Sequence, residues 1–123
     1  MIAMWIMCRF GFYSLTCAQN RDGTIDSATM MIRTRSFSHL RNLQKRFECL
    51  AGLQVKITRQ ADYRYRLIVS KEVCASVVAE LVKEQNWRNL RQETARFGGV
   101  NGYAYSEALK DVWKIMNRLQ CKE

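Results

Sequence analysis

The sequence predicts an α+β fold: a four-stranded antiparallel sheet with helices packed on one face. Three observations carry this expectation. Four segments alternate apolar with polar residues, the period-two pattern of a half-buried strand. Three others carry apolar stripes at helical spacing, each opening on a serine that can cap a helix. The 123 residues, 48% of them hydrophobic, suit one domain over 1–123 with a core of its own. That composition excludes a disordered tail, a collagen-like polymer and a multidomain enzyme.

Met4–Ser14 (MWIMCRFGFYS) reads as the first strand. Met4, Ile6, Cys8, Phe10 and Phe12 share its inner side, and Trp5, Met7, Arg9, Gly11 and Tyr13 its outer side. Asp22-Gly23 marks a turn. Ala28–Arg35 is the second strand, with Met30 and Ile32 inward and Met31, Arg33 and Arg35 outward. Ser36 or Ser38 caps a helix whose stripe is Phe37, Leu40, Leu43 and Phe47, and Gly52 ends it. Leu53, Val55 and Ile57 alternate with Gln54, Lys56 and Thr58 in a third strand. A tight connection at Gln60–Asp62 leads to a fourth, Tyr63–Val69.

Ser70 caps the second helix, with Glu72 in its first turn and Val73, Val77, Val78, Leu81 and Val82 as its buried stripe. Residues 87–105 hold a short helix and a glycine-bearing stretch, Gly98–Gly102, expected to be a linker. Ser106 caps the last helix, about 106–120. Its stripe of Leu109, Val112, Trp113, Met116 and Leu119 packs on the sheet or on a partner, a homodimer included. Residues 28–86 spell β-α-β-β-α, most of a ferredoxin-like split unit. The N-terminal strand then takes the place of the last one, in a permuted ferredoxin-like sheet.

Five cysteines, an odd number without a CxxC pair, point to reduced thiols in a cytoplasmic protein. Met1–Cys8 is apolar but far shorter than the roughly 20 residues that span a bilayer, so no membrane role is expected.

Trp5-Ile6-Met7 leading into Phe10-Gly11-Phe12-Tyr13-Ser14, Asp62-Tyr63-Arg64-Tyr65-Arg66, and Val112-Trp113 stand out together. In them the chain resembles a family of small bacterial hypothetical proteins of similar length. The resemblance runs over nearly the whole chain. It implies no activity and transfers no functional residue, because none is assigned to that family. It implies a histidine in the stretch matching Arg96–Tyr105, whereas the one histidine here is His39, near a helix start and expected at the surface.

Charge is the strongest chemical feature. The formal net charge is +9, and residues 33–66 hold nine Lys and Arg against Glu48 and Asp62. On the strand registers above, Arg9, Arg33, Arg35, Lys56, Arg64 and Arg66 project from one sheet face with Trp5 and Tyr13. Cations among exposed rings suit single-stranded RNA or DNA: arginines take phosphates while bases stack on aromatics. The expected function is a small non-enzymatic nucleic-acid-binding module that needs no cofactor and no metal. An acidic protein surface is the alternative partner. A metal-dependent nuclease built on Asp22, Asp26 or Asp62 ranks last, because turn formation explains those aspartates. Arg96–Gly102 lacks the lysine-serine ending of a phosphate-binding P-loop.

Overall fold

The computed structural model describes residues 3–98 and 102–122, in two compact units, Met1–Gln85 and Asn86–Glu123. The linker expected at Gly98–Gly102 falls mainly on 99–101, outside the described residues.

The first unit runs β1 (Met4–Cys8), β2 (Gly11–Gln19), β3 (Ile25–Thr34), α1 (Phe37–Arg46), α2 (Glu48–Ala51), β4 (Lys56–Ile57), β5 (Tyr65–Ser70) and α3 (Lys71–Lys83). The fold is α+β, and its open sheet has the order β1-β2-β3-β5-β4 with every neighbouring pair antiparallel. The sheet has five strands where the sequence suggested four. The stretch Met4–Ser14 is a tight hairpin: the chain reverses at Arg9-Phe10 and Cys8 pairs with Gly11.

That reversal corrects the expected faces beyond the turn. Opposed residues in an antiparallel pair share a face. Ile6 opposes Tyr13 and Met7 opposes Phe12, so odd-numbered residues after the turn join even-numbered ones before it. Tyr13 therefore enters the core at 2% exposure, and Phe12 moves to the outer side with Trp5. The register of β3 is as expected, with Ile32 in the core and Arg33 on the opposite side.

Leu40 and Leu43 of α1 and Cys74 and Val77 of α3 meet Tyr13, Leu15, Ile32, Leu67 and Val69 in one core on one sheet face. Each fully buried leucine, isoleucine or valine among them contributes roughly 1.5–3 kcal/mol by leaving water. Gln44 is buried because its Nε2 donates to the carbonyls of Leu50 (3.1 Å) and Leu53 (3.0 Å), which ties down the end of α2. His39 is buried, against the expectation of a surface residue. Its Nδ1 accepts the Phe12 amide proton at 3.3 Å, and its carbonyl accepts the Tyr13 hydroxyl at 2.7 Å. The expected third strand shrinks to Lys56–Ile57, both exposed at the sheet edge.

The second unit pairs α4 (Leu90–Phe97) with α5 (Gly102–Cys121). Ser106 lies inside α5, buried, and its carbonyl accepts Arg91 Nε at 3.3 Å, so it is not the cap that the sequence suggested. Leu109 is buried, while Trp113, Met116 and Leu119 of the same stripe are exposed. Length explains the split: at about 1.5 Å rise per residue, the eight residues of α4 reach along less than half of α5.

Candidate nucleic-acid interface

The face of the sheet away from α1 and α3 is organised by cross-strand register. Trp5 opposes Ser14, Ser14 opposes Arg33, Arg33 opposes Arg66, and Arg66 opposes Lys56. One row thus crosses all five strands, with an indole at one end and three cations at the other. Like charges placed directly opposite destabilise a sheet. Among the described residues, no ion pair joins Arg33, Arg66 or Lys56 to a carboxylate.

Arg33 is 8% exposed. Its Nη2 donates to Ser14 Oγ at 2.8 Å, and its Nε is buried without a partner. Burial draws the guanidinium below the ordinary arginine value, yet arginine remains a cation at any physiological pH. Arg66 donates from Nη2 to the Tyr63 carbonyl at 3.3 Å, and its Nε is likewise buried and unpartnered. A buried N–H without an acceptor costs about 1–3 kcal/mol.

The segment between β4 and β5 brings Tyr63 onto this face at 2% exposure. Its hydroxyl accepts the Trp5 indole N–H at 3.0 Å. Its ring stacks on Phe12 (centroids 6.4 Å apart, 16° between planes), and Phe12 meets Trp5 edge-on at 5.1 Å. The guanidinium carbons of Arg33 and Arg35 each lie 4.5 Å from the Tyr63 ring centre. Tyr63 is thus the structural floor for two arginines. Trp5 is 38% exposed and keeps part of its surface in solvent.

The other expected site residues divide. Arg35 joins the cluster but is bound to Asp62, its Nη2 3.0 Å from Oδ1, and this pairing holds the Asp62 carboxyl below the usual carboxylate range. Arg64 is exposed just before β5, where its carbonyl accepts the Thr58 amide at 2.8 Å. Arg9 stands apart at the β1–β2 turn, with its guanidinium carbon 5.1 Å from the Phe10 ring centre and Nη2 3.6 Å from Glu84. Tyr13 is in the core and cannot stack on a ligand. Phe12 and Tyr63 were not foreseen. The interleaving of tyrosine with arginine in Asp62–Arg66 was the available signal for Tyr63.

The aspartates considered for metal chemistry have other work. Asp22 accepts the amide and hydroxyl of Thr24 (2.9 and 2.6 Å), which lowers its carboxyl pKa, and Asp26 accepts the Ala28 amide at 3.1 Å. Among the described residues no three His, Cys, Asp or Glu side chains gather as a metal site, and no helix is long and apolar enough to cross a membrane. The five cysteines form no disulfide. No known family, curated protein or solved structure matches the chain.

Proposed function

We propose that this protein is a non-enzymatic module that binds single-stranded nucleic acid on the outer sheet face. Phosphates are taken by Lys56, Arg66 and Arg33, with Arg64 and Arg35 flanking them, and a base stacks on Trp5. The observation that carries this reading is the row Lys56–Arg66–Arg33. Three cations side by side, none of them ion-paired with a carboxylate among the described residues, cost the free protein stability, and a polyanion reverses that cost. The indole at the end of the row favours nucleotides over an acidic protein surface, because carboxylates offer no ring to stack on it. The strand order β2-β3-β5-β4, with β1 added at the edge, supports a permuted ferredoxin-like sheet.

Fluorescence polarisation with labelled single-stranded RNA and DNA tests the proposal. Between about 50 and 200 mM salt, affinity should fall with a log–log slope of about −0.7 per phosphate neutralised, so about −2 to −3.5 for three to five contacts. The exchange Lys56→Gln with Arg66→Gln should lower both affinity and slope. Absence of binding at the lower salt would overturn the proposal.

A further inference from the structure

The Asn86–Glu123 unit carries a second concentration of cations, 20 residues and more beyond the row. A groove of about 630 Å³ is lined by Arg88, Leu90 and Arg91 before and within α4 and by Lys110, Trp113 and Lys114 of α5. Its size is in the range of pockets that hold small organic ligands. Arg91 is committed: its Nη2 lies 3.5 Å from Glu107 and its Nε donates to the Ser106 carbonyl. Among the described residues no ion pair engages Arg88, Lys110 or Lys114. Lys110 and Lys114 are four residues apart on α5, a spacing at which like charges repel. Trp113 stands between them in sequence, 67% exposed.

We infer that this groove is a second binding site for single-stranded nucleic acid, with phosphates on Arg88, Lys110 and Lys114 and a base on Trp113. It extends the proposed function to a unit that the sheet face does not include. Charge sets the class of occupant: three unpaired cations call for an anion of several charges. The indole sets the kind: an exposed ring flanked by cations binds bases by stacking and cation–π attraction. Single-stranded binding proteins combine these same two elements, and sites of about 4–16 nucleotides are typical of one such module.

The test uses the full chain and an oligothymidylate of about ten nucleotides, a length within that range. Lys110→Gln with Lys114→Gln should reduce the salt slope by about 0.7 for each lysine. Trp113→Ala should weaken binding about tenfold, the loss of one stacked base, and Trp113→Phe should restore most of it. Tryptophan fluorescence should be quenched on binding, by less in the Trp113→Phe protein. Unchanged affinity and slope in the lysine pair, with binding abolished by Lys56→Gln plus Arg66→Gln, would overturn this second site and leave the sheet-face proposal standing. Binding that survives the sheet-face pair and fails with the lysine pair would do the reverse. Equal affinity for thymidine monophosphate and the oligonucleotide would overturn the groove as a polynucleotide site.

Discussion

The backbone of Gly11 lies directly against the ring of His39: a Cβ at residue 11 would fall 2.4 Å from the imidazole Cγ and 2.5 Å from its Cβ. Those atoms belong to the stem of the side chain, so they cannot swing away without moving α1. The closeness lets Nδ1 of His39 accept the Phe12 amide and fasten the β1–β2 hairpin to the first helix. Gly11→Ala should cost about 1–3 kcal/mol, the usual penalty for overpacking. Chemical denaturation measures it, and in the background of His39→Gly the penalty should shrink, because glycine removes both the ring and the Cβ that the new methyl group would meet.

The same ring makes stability depend on pH. Burial holds the His39 pKa down to about 4, against 6.5 for a free imidazole. The unfolded chain therefore takes up a proton as pH falls through 6.5, whereas the folded one refuses it until about 4. The stabilisation is complete above pH 6.5 and is lost between 6.5 and 4, on the order of 3 kcal/mol in all. In His39→Asn, an amide oxygen can accept the Phe12 N–H without titrating. Its denaturation free energy should be flatter over that interval than that of the parent.

Tyr63 separates hydrogen-bond from packing energetics. Tyr63→Phe removes the acceptor of the Trp5 indole and keeps the ring beneath Arg33 and Arg35. The loss should be about 0.5–1.5 kcal/mol. Tyr63→Ala removes the ring as well and should cost about 3–5 kcal/mol, as large aromatic truncations do. Equal losses in thermal melts of the two variants would show that the ring is not what holds this segment down.

Lys56→Gln should move stability and binding in opposite directions. It removes one cation of the Lys56↔Arg66 pair at an exposed edge. Relief of that repulsion should stabilise the fold by about 0.2–1 kcal/mol. Affinity for single-stranded nucleic acid should fall in the same protein. A variant both less stable and weaker in binding would mean that Lys56 supports the edge instead of the ligand.

Much of this was legible in the sequence, and what was missed has two causes. The alternation in Ala28–Arg35 placed Ile32 inward and Arg33 outward, and the row of cations on β3, β4 and β5 follows from it. Ser70 capped α3 as expected. Periodicity failed at Arg9-Phe10, because a two-residue reversal leaves the apolar pattern unbroken while swapping the faces beyond it. Tyr13 was thereby assigned to the ligand and Phe12 to the core, each the opposite of what the structure has. Burial of His39 and Tyr63 depends on contacts with residues more than twenty positions away, which no local pattern reports.

Ser70 is both the last residue of β5 and the N-cap of α3, its Oγ accepting the Val73 amide at 3.2 Å. Replacing it with alanine should cost about 1 kcal/mol, read as a lower thermal midpoint. Its position matters beyond that figure. A connection of zero length has no slack, so strand and helix form a stiff corner brace. β5 carries Arg66 on its outer side and the core leucine Leu67 on its inner side. Force applied to the cation row by a tethered polymer is therefore borne by α3 and the core beneath it, and not by a flexible loop.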